Sequence, residues 1–427
     1  MKSTLILGGG LALALATSCS SGGGAGGSPS PDGGSPDATA ACGGSGDPCC
    51  HGTACNAGLT CTAGTCSAPA GSEGGPDASS SASDSGPDAG SSSGGSDAGA
   101  DSPVADAGGV DAGPQPPSCQ VPGAGRTDCG GGSESCCTSA QVLGGAFART
   151  YTISDGGVVM GSASDLATID TFGLDKYDVT VGRFRPFVAA VTGSSKWLPV
   201  AGAGKHGHLN GGQGLLDVSN DAGTSYETGW IAADGASIQP TAAHLTSCPI
   251  STWTPSPGTQ ESLPVNCVNW YEAYAFCIWD GGGFLPSEAE WEYAAAGGNQ
   301  LREYPWGSTD PGSTSQYEIY GCWYNGTGGM SCSGTQNIGP VGTPALGAAR
   351  WGQLDMAGNV NQWTMDWYAT YVTPCTDCAY LMPGASGGRM VRGGNFILNS
   401  EPVPWRSQTN LPGTRDESVG FRCARSP

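Results

Sequence analysis

Thiols and imidazoles are the reactive groups that this chain places at suggestive spacings. Cys375 and Cys378 stand in Pro374-Cys375-Thr376-Asp377-Cys378, a spacing used by redox pairs. His206 and His208 stand in Gly204-Lys205-His206-Gly207-His208, where an extended backbone projects both rings to one side, as a metal requires. Neither pair has supporting residues close by in sequence. No helix pattern follows the cysteines, so an exposed, static loop staple is favoured over a redox centre. No nearby carboxylate orients the imidazoles, so a hydrogen-bonded loop is favoured over a metal site. Six further cysteines, Cys42, Cys49, Cys50, Cys55, Cys61 and Cys66, read as a disulfide-stapled mini-module. A metal cluster is the alternative, but the run lacks two CxxC pairs. Cys119, Cys129, Cys136 and Cys137 form a second group whose pairing the spacing leaves open.

The stretch from Arg389 to Cys423 frames the question of chemistry. Arg392-Gly393-Gly394 follows the β-prone Met390-Val391, which signals backbone passing close to something. Gly420-Phe421-Arg422-Cys423 reads as a terminal strand tied down by its cysteine. Between these landmarks there is no cysteine at all.

The elements that must position these residues are partly legible. Two β-like runs, 146–159 and 167–177, precede Thr180, which can cap a helix with Val181, Phe184, Val188 and Val191 at helical spacing. Pro186 lies inside that pattern and predicts a late start or a kink. Asn269 with Glu272, and Ser287 with Glu290, each form a capping-box pattern. The first opens a helix with Trp270, Ala273, Tyr274, Cys277 and Ile278 on one face. The second opens a helix with Trp291, Ala294 and Ala295 inward and Gly297 as its stop. These two helices are expected to pack together against a sheet.

Leu285-Pro286-Ser287-Glu288-Ala289-Glu290-Trp291-Glu292-Tyr293 resembles the signature of the sulfatase-modifying-factor, or formylglycine-generating-enzyme, family. Tyr304-Pro305-Trp306-Gly307, Gly358-Asn359-Val360-Asn361-Gln362-Trp363, Arg392-Gly393-Gly394 and Gly420-Phe421-Arg422-Cys423 match its further landmarks in order, from about residue 142 to 425. The resemblance implies an α+β, C-type-lectin-like fold with a small twisted antiparallel sheet, two helices and much loop. It also implies a copper-dependent oxidation by two thiols, and here the chain departs. The first thiol falls at Leu398 and the second within Ser400 to Val403, where the chain is also shorter. Copper is therefore not expected, since leucine neither ionises nor binds it. Asn399, Glu401, Trp405 and Arg406 are the candidate groove residues for a different reaction. Against that stands the reading of Trp405 as core, Arg406 as a carboxylate's partner, and Asn399 and Glu401 as solvated.

One disulfide of the family corresponds to Cys277 with Cys423; another would join Ala295 to Val403, and both cysteines are missing. Proximity then pairs Cys322 with Cys332 and Cys375 with Cys378, leaving Cys248 with Cys267. The family's calcium site carries over to the side chains of Asp355 and Gln362 and the carbonyls of Gly358 and Val360, four of the six to eight oxygens calcium needs. A simple turn capped by Asp355 is the alternative.

The N-terminal third reads differently. Lys2, an apolar run from Leu5 to Leu15 and Ser18-Cys19 look like a lipoprotein signal over 1–19 with Cys19 acylated; Ala16 departs from the usual pattern, and plain secretion is the alternative. Residues 20–41 read as a disordered tether, 42–66 as the cysteine module, 67–118 as a disordered acidic linker and 119–427 as the family domain. Such low-complexity chain cannot bury enough apolar area to offset its entropy. Fifty-odd flexible residues reach roughly 40 Å. Between Lys2 and Arg126 there is no Lys or Arg, and the whole chain carries a net charge of −21, so no basic stripe exists to hold nucleic acid.

These observations together predict an exported protein, lipid-anchored to the outer membrane or cell surface, with secretion or a periplasmic location as the alternative. Its domain is expected to bind an envelope ligand, protein or glycan, or to be structural; the alternative is a divergent oxidoreductase working without the cysteine pair. If Cys19 carries the anchor, Cys19→Ser shifts the protein from the membrane to the soluble fraction on cell fractionation. A variant that stays fully membrane-bound rejects the anchor.

Overall fold

The computed structural model describes residues 60–62, 65–67, 115–132, 134–153, 159–219, 225–406 and 409–427. Contacts divide the chain into residues 1–103 and 104–427. In the first unit, strands Thr60–Thr62 and Thr65–Ser67 pair antiparallel with Cys61 opposite Cys66. Cys19, Cys42, Cys49, Cys50 and Cys55 lie outside the described residues.

The second unit opens with a turn, Pro117–Cys119, and continues with β1 (Ser139–Val142), β2 (Gly145–Ile153), β3 (Val159–Ile169), β4 (Phe172–Asp175) and helix α1 (Val181–Thr192). Helices α2 (Trp270–Trp279) and α3 (Glu288–Ala295) follow. The strands β5 (Asn361–Trp367), β6 (Cys375–Thr376), β7 (Arg389–Arg392), β8 (Thr409–Asn410), β9 (Val419–Gly420) and β10 (Ala424–Arg425) complete it. The class is α+β, as expected, but the single antiparallel sheet is replaced by four small ones: β8-β7-β5-β9, β10-β4-β1, β2-β3-β6 and a two-stranded parallel pair of Leu216–Asp217 with Cys378–Ala379. Two of them are mixed, because β9 runs parallel to β5 and β6 parallel to β3. The two β-like runs resolve into a long hairpin, β2–β3, and the buried strand β4, while β1 lay outside both runs.

Thr180 caps α1 by accepting from the Arg183 amide, so the helix starts at once, without the delay that Pro186 suggested. Pro186 cannot donate to the carbonyl four residues back, that of Gly182. Arg126 Nε donates to it instead at 2.9 Å, which satisfies the orphaned acceptor. Both capping boxes form, at Asn269–Glu272 and Ser287–Glu290. Gly297 stands just past α3 with φ +68°, as its stop role requires.

The helices do not pair as expected. Helix α2 packs on α1, with Phe276 stacked on Phe184 and edge-on to Phe187 and Phe421. Helix α3 lies against β5, β7 and the β2–β3 hairpin. Arg183, fully buried, ties the start of the domain to both layers by bonding Asp175, Asp280, Ser118 Oγ and the Cys136 carbonyl. Ser118, assigned to the linker by composition, is therefore core.

Six disulfides close the unit: Cys119–Cys137, Cys129–Cys136, Cys248–Cys267, Cys277–Cys423, Cys322–Cys332 and Cys375–Cys378. Cys277–Cys423 spans 146 residues and joins α2 to the terminal strand segment. A loop of that length removes about 5 kcal/mol of unfolded-chain entropy in the simplest account. Cys375 and Cys378 are buried, not exposed, because β6 and the following residues pair into the sheets. The missing Ala295–Val403 bridge is replaced by apolar packing, both residues belonging to the main core.

Candidate functional site

Helix α3 organises the region where the family's chemistry would lie. Its sequence alternates glutamates with apolar residues and reads as half solvated, yet every residue from Glu288 to Ala295 is buried. Each carboxylate needs a partner at such a depth, since an unpaired buried charge is costly. Glu288 accepts two bonds from Arg406, at 2.6 and 2.8 Å, and one from Arg392 at 3.1 Å. Burial alone would raise the Glu288 carboxyl, but Arg406 and Arg392 hold it below the usual range. Glu292 faces Arg392 Nη2 at 3.3 Å and accepts from Tyr371 at 2.7 Å; burial, opposed by Arg392, still pushes it up to about 7.

Glu290 completes its capping box and reaches across to His206 Nε2 at 3.1 Å. His206 Nδ1 meets Glu227 at 3.0 Å, so the imidazole is clamped between two carboxylates that sequence distance had concealed. Burial would strip its proton, but the charges of Glu227 and Glu290 outweigh that effect and raise it to about 10. The ring is a fully buried imidazolium packed on Phe284 and pinning the 196–254 insert to α3, not a metal ligand. No cluster of three or more His, Cys, Asp or Glu suited to a metal occurs among the described residues.

The groove segment follows β7. Gly393, with φ +101°, has no room for a side chain: a Cβ there would stand 2.8 Å from the Met356 carbonyl and 3.1 Å from the Trp291 ring. Asn395 Oδ1 then accepts from the amides of Ile397 and Leu398, the latter being the residue at which the resemblance places the first thiol. Ser400 donates to Glu318 at 2.5 Å. Glu318 was not anticipated, because no motif surrounds it. Burial, with Glu401 adding to it and Ser400 opposing it, pushes its carboxyl up to about 8. Tyr304, stacked flat on Trp306, lies beside Ser400. A carboxyl that holds its proton at neutral pH is an acid and hydrogen-bond donor, not a base for activating Ser400.

The four groove candidates do not converge as a set. Arg406 turns away to clasp Glu288, Asn399 is exposed, and Trp405 is 56 % exposed and so not core. Glu401 and Trp405 both line the small cleft beside Trp291 and Gly393, so two of the four meet there and the other two do not.

The calcium donors do not form a set either. Gln362 Oε1 already accepts from Trp291 Nε1 at 2.7 Å and Arg422 Nε at 2.8 Å, which uses both lone pairs. Gln362 Nε2 donates to the Asp355 carbonyl, and Asp355 Oδ2 accepts from the Gly342 amide. Gly358 packs against Glu318 and Ile319, where a Cβ would stand 2.4 Å from the Ile319 carbonyl. Arg422, bonded to Asp178 and the Leu354 carbonyl, supplies the positive charge here. Gln362 is thus fully committed, while Asp355 Oδ1 is buried without a hydrogen-bond partner, so of the two side-chain donors only Asp355 keeps an oxygen for a cation and the four do not act as a set.

The fold and site define a mixed α+β domain of the formylglycine-generating type. Residues 133–427 match the model of the sulfatase-modifying factor enzyme 1-like domain, and the chain belongs to that family. It is 30 % identical over 302 residues to a formylglycine-generating enzyme of Streptomyces coelicolor, covering 66 % of this chain and 88 % of that one. It is 31 % identical over 182 residues to the mouse inactive C-alpha-formylglycine-generating enzyme 2, covering 40 % and 53 %. Among solved structures it is similar to PvdO from Pseudomonas aeruginosa, with a TM-score of 0.41 and 19 % identity over 72 % of this chain and all of that one.

The His206 clamp has a pH signature. Its folded pKa lies above the unfolded value, so its stabilisation is complete below about pH 6.5 and lost as pH rises through about 10. In urea titrations, wild type is expected to lose stability relative to His206→Gln across that window. A constant gap between the two from pH 6 to 10 would count against a charged imidazole.

Proposed function

We propose that this chain is a non-oxidising member of its family, a ligand-binding module presented at the cell envelope on a lipid anchor at Cys19 and an acidic linker. Its partner on this reading is an envelope protein or glycan, with secretion or a periplasmic location as the alternative placement. The observation that carries the reading is the state of the thiols. All twelve cysteines from Cys119 to Cys423 are spent in disulfides, and Leu398 and Ser400 occupy the groove where the family pattern calls for thiols. The oxidation needs a thiolate to bind copper and exchange with a substrate thiol. The likeness to a relative described as inactive supports the same conclusion. The divergent-oxidoreductase alternative would have to work through Glu318, Ser400 and Tyr304, since Arg406 is committed to Glu288.

The test is to incubate the full-length protein with copper, oxygen and a cysteine peptide of the sulfatase type, and to follow the peptide by mass spectrometry. The peptide is expected to remain unmodified, and Leu398→Cys is not expected to change this because the second thiol is still missing. Catalytic accumulation of formylglycine with the wild-type chain would overturn the proposal.

A further inference from the structure

Away from the groove, beside the β8-β7-β5-β9 sheet, lies a cavity of about 170 Å³ lined by Arg389, Trp270, Tyr274, Tyr226, Asp234 and Met382 among others. Arg389 is the feature that demands explanation. It is only 9 % exposed, and its guanidinium lies between two indoles, 3.8 Å from the ring centre of Trp270 and 4.1 Å from that of Trp367. Nη1 donates to the Met365 carbonyl, while Nε is buried with no acceptor. Arg183, Arg392 and Arg422, each fully buried, hold carboxylates, and the buried Arg149 bonds the Asp165 and Val372 carbonyls through Nε and Nη2, whereas Arg389 makes no ion pair among the described residues and leaves Nε without an acceptor. The indoles hold the cation in place by their π-faces, but they leave the planar fork of donors available to an anion.

The opposite charge is close by. Asp234, on the turn Ala232–Ser237, is half-buried and likewise makes no ion pair among the described residues. It lies within electrostatic reach of Arg389 but is not bonded to it. Of the other carboxylates on the cavity wall, Glu227 is paired with His206, and Asp217 accepts through Oδ1 from Ser219 and the Leu381 amide. A simple anion would satisfy Arg389 and be repelled by Asp234, and a simple amine would do the reverse. A molecule carrying both charges satisfies both. The volume is below the about 300–1,000 Å³ of pockets for drug-sized ligands, so the occupant is small. The remaining wall of Tyr226, Tyr274, Trp270 and Met382 is aromatic and thioether, suited to an apolar side chain.

We propose that this cavity binds a small zwitterion, an α-amino acid with an apolar or aromatic side chain. The carboxylate bonds Arg389, the ammonium faces Asp234, and the side chain lies on Tyr226, Tyr274 and Met382. This rests on the reading of the domain as a binding module and gives that module a ligand class.

Calorimetry on the full-length protein with L-phenylalanine, 3-phenylpropionate and phenethylamine as probes tests it. L-Phenylalanine is expected to bind at least tenfold tighter than either half-molecule. Asp234→Asn should weaken it at least tenfold without altering the melting temperature, and Met382→Trp, at an exposed rim position, should block it. Arg389→Lys should also abolish binding, because an ammonium keeps the charge but loses the planar fork and the stacking. Equal affinity for L-phenylalanine and either half-molecule, or unchanged binding in Asp234→Asn, overturns the assignment. So does failure of all three probes to bind folded protein, and in that case the non-oxidising reading still stands. Formylglycine production would instead sink that reading, whatever the cavity binds.

Discussion

The burial of three glutamates on one short helix is the constraint on which the rest of this domain depends. Glu288, Glu290 and Glu292 sit where water cannot solvate them, so each requires a cation or donor brought from elsewhere in the chain. Arg392 comes from the end of β7, Arg406 from the groove segment, His206 from the long insert, and Tyr371 from the loop before β6. The pairs span 79 to 118 residues of sequence, so satisfying α3 and assembling the tertiary fold are one event. Removing a single partner leaves a charge stranded, which costs more than the pair itself contributes.

This constraint also accounts for what the groove has become. Arg406, a candidate for catalysis by position, is held in a two-pronged contact with Glu288 and carries the segment after Val403 back onto the helix. Arg392 Nη2 donates to the Val403 carbonyl from the other side. Between these anchors the chain from Gly394 to Val403 is fixed by Asn395, by the Gly321 and Cys322 amides bonded to the Leu398 and Phe396 carbonyls, and by Ser400 on Glu318. Leu398 and Ser400 are thereby held in place, the one by the Asn395 side chain and the other by Glu318. A second site built around Arg389 then supplies recognition of a different kind, from a cation stacked between indoles.

Much of the scaffold was legible because it is encoded locally. Capping boxes at Asn269 and Ser287 depend on residues three apart, and the Thr180 cap on Arg183, so their signals survive without tertiary knowledge. The tight approach at Gly393 was likewise written in a glycine pair. What escaped is long-range. Nothing near Glu288 or Glu292 marks them as buried, since alternating acids on a helix ordinarily face water. His206 looked short of carboxylates because Glu227 lies 21 residues away and Glu290 lies 84. Gln362 matched a calcium pattern in type and spacing, but its oxygen is claimed by Trp291 and Arg422, which only the fold brings there.

A double-mutant cycle on Glu288 and Arg406, read by urea unfolding, tests most directly whether buried ion pairs on α3 hold the groove. Glu288→Gln and Arg406→Gln are each expected to destabilise strongly, and the double variant by much less than their sum, with a coupling of about 2 kcal/mol or more. Additive effects, agreeing within about 0.5 kcal/mol, would mean that the pair contributes no more than an exposed contact and that something else fixes the groove.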